Sequence, residues 1–366
     1  MWIDTLNVKN CRSLKSIALQ LSPYLNIIVG ENASGKTSLL ESIYLLSSGR
    51  SFRTSHISDV ISHNEKEILV TANISFDELN HSHIGIEKSS SKTRIRIDKQ
   101  DINSQAKLSL HLPITVIHPD SICLITGGPS YRRSYIDWIA FYLFPEFYPK
   151  WKSYQRILKQ RNLSLKDSKH HYSIDKWTEE LVSLQPDITQ YRELALRELK
   201  PLLIESSSKL LRGKSIDIEF HSGLPKEIEL THDSMMKFYR SKLKYDLAIK
   251  RTSIGVHKAN LKFFIDDKLA ERSASRGQLK LLSISLLLSQ SAAIKKDIKG
   301  GNDNRGIILL DDFTSELDSI NEGSLIDYLY KLKQQILLTT THENISNDDF
   351  AGKMFHVKHG LISEVS

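Results

Sequence analysis

Cysteine is scarce in this chain, and the two that occur, Cys11 and Cys123, stand far apart. Neither belongs to a CxxC pair or a Cys/His zinc spacing, which argues against both a disulfide framework and a structural zinc site. Fourteen histidines are present but none forms an HExxH arrangement, so they read as ordinary surface or core residues. No stretch approaches the roughly 18 consecutive apolar residues of a membrane span. The opening MWIDTLNVKNCRSLK alternates polar and apolar residues and lacks the unbroken apolar core of a secretory signal. Internal repeats and extended heptad tracts are also missing. The expectation is a soluble, cytoplasmic protein with no membrane partner.

What is present is an ordinary globular composition, 40% hydrophobic and 25% charged, over 366 residues. That length accommodates two domains, or one large domain carrying an insertion. The net charge is +7, but two segments hold more than all of it. Residues 150–170 carry seven Lys/Arg against Asp167, and residues 237–262 carry eight against Asp246. The remainder of the chain is therefore net −6.

The organising stretch is GENASGKT, residues 30–37, a complete match to G-x-x-x-x-G-K-[ST]. It follows an apolar run at residues 25–29 and precedes a helical pattern carrying Leu39, Leu40, Ile43 and Leu46 on one face. Gly30 and Gly35 let the backbone turn so that the amides of Glu31, Asn32, Ala33 and Ser34 point at a phosphate, and the helix adds its positive end. Lys36 is placed to reach the β- and γ-phosphates of ATP, and the Thr37 hydroxyl to ligate Mg2+.

Around this loop the pattern is mixed α/β. Strands are expected at residues 2–21 as a pair, at 68–76, 84–87, 93–98 and 114–117, with a Gly-Gly-Pro break ending at Pro129. Long helical patterns with aromatic anchors follow, interrupted at Pro186 and Pro201, then short strands at 216–220 and 228–230 and a lysine-rich helix over 234–250. Arg50 and Arg53, in the turn after the phosphate-loop helix, read equally as contacts to nucleotide or nucleic acid and as a solvated turn.

The apolar run at residues 307–310 ends in Asp311 and Asp312. A buried parallel strand of this kind delivers one carboxylate, Asp311, to the magnesium shell and the next, Asp312, to the attacking water. The turn Ser275-Arg276-Gly277-Gln278 leads straight into an apolar helix and supplies amides, a hydroxyl and a glycine for close approach. An ordinary helix cap is its alternative reading. The turn resembles the signature motif of ABC-type ATPases, in which one subunit closes on the γ-phosphate held by another. That resemblance implies that Ser275 and Gly277 act in trans, with Gln278 in the same turn, in an ATP-dependent homodimer. SELD, residues 315–318, resembles the D-loop of such ATPases, and His342 their switch histidine.

Lys36 and Ser275 lie 239 residues apart, far more than in a transporter ATPase. The division expected is an ABC-type ATPase head of the Rad50/SMC kind from residues 1–128 and 255–366, with a helical lobe at 129–254. Folded back on itself, such an insertion has arms of at most roughly 100 Å as helix, and the prolines shorten them. The stretches GENASGKTSLLESIYLLSSGRSFR, GGPSYRRSYIDW, YQRILKQRN, SRGQLKLL and LLDDFTSELD, in that order, resemble the RecF family of bacterial recombination mediators. Ala33 departs from a usual glycine, Cys11 from a common aromatic, and VIHPDSI from a more acidic and aromatic version.

The resemblance implies a weak, DNA-stimulated ATPase that dimerises on ATP, clamps DNA at gaps and junctions, and acts with RecR and RecO where RecA is loaded, in the nucleoid. Two basic runs on an otherwise acidic chain suit sequence-independent phosphate contact. The cations proposed for it are Lys150, Lys152, Arg156, Lys159 and Arg161 in the first run and Lys242, Lys244, Lys250 and Arg251 in the second. A solvated helix face is the alternative for each run. Rivals for the whole chain are another SMC-like chromosome-associated ATPase, which would carry far more heptad sequence, a transporter subunit, which would lack the insertion, and a small-molecule kinase, which has no use for SRGQ or SELD.

Overall fold

The computed structural model describes residues 1–294, 306–312, 317–341 and 352–365. The chain forms two compact units: Met1–Ser121, Ser206–Arg212 and Lys280–Ser366 make the first, and Ile122–Glu205 with Gly213–Leu279 the second. These limits differ from the division read from the sequence. Strand Asn260–Ile265 pairs antiparallel with Ile216–His221, which carries the residues after 254 into the second unit. Ser206 goes the other way, its hydroxyl donating to the Ser285 carbonyl and bonding Ser289 of the first unit.

The first unit holds two six-stranded sheets. One is antiparallel, in the spatial order Leu14–Gln20, Trp2–Cys11, Glu67–Ser75, His81–Ser89, Thr93–Ile97, Gln100–Asp101. In the other, Gly352–Lys358, Leu25–Val29, Ile336–Thr340, Ile307–Leu310 and Ile114–Ile117 run parallel, with Leu361–Val365 antiparallel at the edge. Strands Leu25–Val29, Ile307–Leu310 and Ile336–Thr340 are buried along their whole length, the reason their apolar residues run together instead of alternating with polar ones. Helix Lys36–Ser48 buries ten of its thirteen residues, so it is a core helix and not a surface one. Leu39, Leu40, Ile43 and Leu46 join Val8, Val70, Ile86 and Leu337 in one continuous core.

The second unit packs helices Pro129–Leu143, Phe147–Lys166 and His232–Ile249 with a three-stranded sheet. Helix Ile174–Leu210 is unbroken and contains both Pro186 and Pro201, contrary to the expected interruptions. Each proline removes one backbone bond, but Leu181, Val182, Ile188, Ala195, Leu199 and Leu203 are buried on either side of them, and that packing carries the helix through. At 37 residues it is about 55 Å long. The strand expected at 228–230 does not form, while a helix at Gln105–His111, capped by the Ser104 side chain, was not anticipated.

Two guanidinium–carboxylate pairs lie inside this unit. Arg192 Nε donates to Asp137 at 2.8 Å, and Arg161 Nη1 donates to Asp246 at 2.9 Å. Each guanidinium also lies over an aromatic ring, Arg192 over Trp151 at 5.1 Å and Arg161 over Tyr239 at 5.3 Å.

Candidate functional site

Strand Leu25–Val29 leads into the glycine loop, and helix Lys36–Ser48 leaves it. Only glycine fits at position 30, because a Cβ there would lie 2.4 Å from the Val357 carbonyl oxygen. Gly35 has φ +120°, which no L side chain adopts comfortably. It is the N-cap of the helix and provides no side-chain cap, so the first amides are left for an anion. Ala33 takes φ +64°, the left-handed region that favours glycine. The edge hairpin closes the loop from behind, with the Gly360 amide donating to the Ser34 carbonyl at 2.9 Å.

Lys36 Nζ donates to the carbonyls of Gly30 at 2.5 Å and Glu31 at 2.8 Å. Burial lowers its pKa, against the opposing pull of Asp312 and Asp311. Across the cleft, strand Ile307–Leu310 delivers Asp311, whose amide donates to the Ile117 carbonyl at 2.8 Å. Asp311 Oδ1 accepts from Thr37 Oγ1 at 3.0 Å and from Thr339 Oγ1 at 2.8 Å. Thr339 Oγ1 in turn accepts from the Asp312 amide at 2.8 Å. Burial raises the Asp311 pKa, outweighing the two hydroxyl donors, and the neighbouring Asp312 adds to it. A buried, doubly solvated carboxylate beside a threonine hydroxyl, with a second carboxylate adjacent, is an oxygen donor set that suits Mg2+.

These side chains line one cavity of about 450 Å3, in the range that small-molecule sites occupy. Glu31, Asn32, Ala33, Gly35, Lys36, Thr37, Asp311 and Asp312 all contribute to its walls. Gly30 and Ser34 shape the loop without lining the cavity. Thr339, Phe52, His118, Pro119 and Asp120 also stand in its walls and were missed in the sequence. The Phe52 ring packs between Tyr44 at 5.7 Å and His118 at 5.5 Å. Burial lowers the His118 pKa, partly countered by Asp120 and Asp311.

Over residues 2–363 the sequence matches the family described as RecF/RecN/SMC N terminal domain. A DNA replication and repair protein RecF from Psychromonas ingrahamii is 35% identical over 99% of this chain and 99% of its own. The chain belongs to the RecF family. RecF of Proteus mirabilis is 33% identical with the same coverage. Two solved structures of the recombination mediator RecF in the RecFOR pathway, one with ATP and one described as RecF-ATPrS, superpose with TM-scores of 0.86 and 0.84 at 25% identity. Each match covers 100% of this chain and 98% of the other. The Smc head domain of Pyrococcus furiosus, at 17% identity and TM-score 0.61 over 100% of this chain and 96% of its own, shares the fold. The fold is thus the ABC-type ATPase head of the SMC kind, with added helices, that the sequence led us to expect.

The remaining residues singled out by the RecF resemblance fall out as follows. Ser275 and Gln278 form a reciprocal cap on helix Arg276–Ile294: the Ser275 amide donates to Gln278 Oε1 at 2.9 Å, and the Gln278 amide to Ser275 Oγ at 3.3 Å. Ser275 and Gly277 are exposed, and a Cβ on Gly277 would meet nothing within 4 Å. Neither they nor Gln278 lines the cavity. His342 lies outside the described residues, as does the first half of SELD.

Of the basic candidates, Lys152, Arg156 and Lys159 are exposed on helix Phe147–Lys166, Lys244 is exposed on helix His232–Ile249, and Lys250 and Arg251 are exposed just beyond it. Lys150 is paired with Asp187 and lies 5.8 Å from the Tyr191 ring centroid. Lys242 is half buried against Phe238 at 5.5 Å. Arg161 must be withdrawn from this set. Its side chain is 1% exposed and turned inward onto Asp246, Thr178 and Thr252, so no external phosphate can reach it.

Proposed function

We propose that this chain is an ATP-dependent DNA-binding switch of recombinational repair. The observation that carries the reading is the join between the glycine loop and the carboxylate strand, in which Thr37 and Thr339 both donate to Asp311 beside Lys36 and Asp312. An ordinary glycine turn has no reason to hold two hydroxyls and a buried acid at this spacing. The amides of residues 30–37 and the helix start bind the phosphate chain. Lys36 exchanges its bonds to the Gly30 and Glu31 carbonyls for the β- and γ-phosphates. Thr37 and Asp311 hold Mg2+, which when bound neutralises the charge that develops on the phosphoryl oxygens. Asp312 positions the attacking water, and Thr339 fixes both aspartates relative to each other.

Exposed Ser275 and Gly277 are offered to the γ-phosphate of a second copy, making ATP the link of a homodimer that closes around DNA. Solved relatives bind ATP and are recombination mediators of the RecFOR pathway, which supports action at gaps or junctions with RecR and RecO and, through them, RecA. Hydrolysis on this reading is slow, is stimulated by DNA and serves as a timer for DNA residence.

Sedimentation of wild type, Lys36→Ala and Ser275→Arg with and without Mg-ATP, followed by gapped-DNA binding, tests the scheme. Wild type dimerises with ATP and retains DNA. Lys36→Ala binds no ATP and stays monomeric, while Ser275→Arg binds ATP and stays monomeric. Losing the Ser275 cap costs about 1 kcal/mol, too little to unfold the chain. An ATP-dependent dimer in the Ser275→Arg variant refutes the trans contact.

A further inference from the structure

Ten aromatic residues fall between Tyr131 and Tyr154. The core accounts for four of them: Tyr135, Phe147 and Tyr154 are buried, and Trp151 lies under the Arg192 guanidinium. Trp138, Phe141 and Tyr142 are only half buried on helix Pro129–Leu143, whose inward stripe is Tyr135, Ile136, Ile139 and Ala140. Tyr148 stands in the first turn of helix Phe147–Lys166 with 39% of its surface exposed. These four rings join into one patch, Trp138 lying 4.3 Å from Tyr142, and Phe141 4.9 Å from Tyr142 and 5.5 Å from Tyr148. A contiguous surface of rings left half in water marks a contact with something else.

From Tyr148 the same face continues along helix Phe147–Lys166. Lys152, Arg156, Lys159 and Leu163 follow at spacings of four, four, three and four, all exposed, which sets them on one side of the helix. The stripe is about 22 Å long. The helix holds no Asp or Glu. Among the described residues Lys152, Arg156 and Lys159 meet no carboxylate, whereas Lys150, off this stripe, is paired with Asp187. The face therefore runs from aromatic through cationic to apolar, and its charges are unanswered within the unit.

We propose that this face docks a protein partner through an acidic segment carrying apolar side chains at its two ends. Cations in the middle call for carboxylates or phosphates, and the rings decide between them. Bases stack on open ring faces. Here Phe141 meets Tyr142 at 80° and Tyr148 at 76°, and Trp138 is tilted 52° to Tyr142, so ring edges close on neighbouring faces. That makes a continuous apolar surface with crevices for side chains, the form of an interface centre with a charged rim. Leu163, 49% exposed at the far end, adds apolar surface that a phosphate backbone cannot use. The proposal goes beyond the DNA reading and does not rest on it.

The probe is a fluorescein-labelled peptide of about 16 residues, long enough as a helix to span the stripe, rich in Asp and Glu with Trp near one end and Leu near the other. Its controls are the same peptide with Ala for Trp and Leu, and labelled single-stranded and gapped DNA. Anisotropy gives affinities for full-length wild type, Tyr148→Ala, Tyr148→Phe and Lys152→Glu/Arg156→Glu. The probe should bind wild type and Tyr148→Phe alike, lose about tenfold or more with Tyr148→Ala, and fail to bind the charge-reversed variant. The Ala peptide should bind wild type about tenfold more weakly than the probe. Tyr148→Ala should keep wild-type melting temperature, gapped-DNA affinity and binding of a fluorescent ATP analogue. Absence of probe binding, or equal binding of the two peptides, overturns the proposal. If Tyr148→Ala weakens DNA binding as much as peptide binding, the face belongs to nucleic acid and the proposal falls. Self-association of wild type that Tyr148→Ala abolishes gives the face to a second copy and overturns it as well. Should wild type bind no DNA while the peptide series comes out as expected, the DNA reading alone fails.

Discussion

Replacing Thr339 by valine isolates the element of the site that sequence reading missed. Thr339 is fully buried, and its hydroxyl spans 2.8 Å to Asp311 Oδ1 and 2.8 Å to the Asp312 amide. Valine nearly matches threonine in shape, so the cost is polar and not one of cavity. A hydrogen bond to a charged group contributes about 1.5–3 kcal/mol, and an orphaned buried amide costs about 1–3 kcal/mol. The two losses overlap at one oxygen, which sets the destabilisation at about 3 kcal/mol, or roughly 4 °C in melting temperature for a chain of this length. Asp311 would then hold one hydroxyl donor instead of two, its pKa would rise further, and Asp312 would lose its fixed position. If half of the loss is felt when Mg-ATP binds, affinity falls about tenfold. The assay is binding of a fluorescent ATP analogue with Mg2+ and with chelator, beside thermal melts of wild type, Thr339→Val and Thr339→Ser. Serine keeps the hydroxyl and should track wild type. A valine variant that binds Mg-ATP within about twofold of wild type and melts within about 1 °C would refute the linking role.

Three further outcomes follow from the same reasoning. Arg161→Met leaves Asp246 buried without its cation, which should cost about 3–5 kcal/mol in urea unfolding while DNA affinity per folded molecule stays at the wild-type value; a specific loss of DNA affinity with normal stability would restore Arg161 to the binding surface. Ala33→Gly removes a left-handed alanine at a cost in unfolded-chain entropy, for a net gain of up to about 1 kcal/mol, read as a higher melting temperature; a lower one counts against strain at this position. Burial lowers the His257 pKa from 6.5 to about 4. Between those values the unfolded chain binds the proton and the folded chain does not, so stability falls as pH drops from about 6.5 towards 4, by at most about 3 kcal/mol. His257→Gln should flatten that part of the pH–stability curve, and an unchanged curve would show that other groups produce it.

What the sequence revealed of the site was what is local in it. Strand, loop and helix occupy residues 25–48 without interruption, and the requirement for glycine at positions 30 and 35 can be read without knowing what lies behind them. The Asp311-Asp312 pair was legible because an apolar run buried on both faces must end somewhere, and a carboxylate there has few other uses. Thr339 was not, because TTTH presents three similar hydroxyls and only the register of Leu338 against Leu310 decides which one meets Asp311. The bonds of Arg12 and Ser51 to Glu41 were hidden for a similar reason: the three residues come from a strand end, a turn and a core helix. Helix Ile174–Leu210 shows the opposite error. Two prolines outweighed a continuous apolar face in the reading, whereas in the fold the face outweighs the prolines.

Arg161 shows that helical period divides a run of charge into an inward and an outward part. Tyr154, Ile157, Leu158 and Leu165 are buried at spacings of three, one and seven, the inward stripe of helix Phe147–Lys166. Arg161 falls on that stripe, three residues after Leu158 and four before Leu165. Lys152, Arg156 and Lys159 fall on the opposite face. An arginine on an apolar stripe must find a carboxylate inside the protein, since an unpaired buried charge costs several kcal/mol. Asp246 is the one acid in the second basic run, and the fold joins it to Arg161. The pair removes one cation from the first run and one anion from the second, so it fastens the two helices together and leaves the net charge they turn to solvent unchanged. The basic surface on which the DNA reading depends is therefore no weaker for the loss of Arg161, and it is held by a contact that sequence counting had assigned to the ligand.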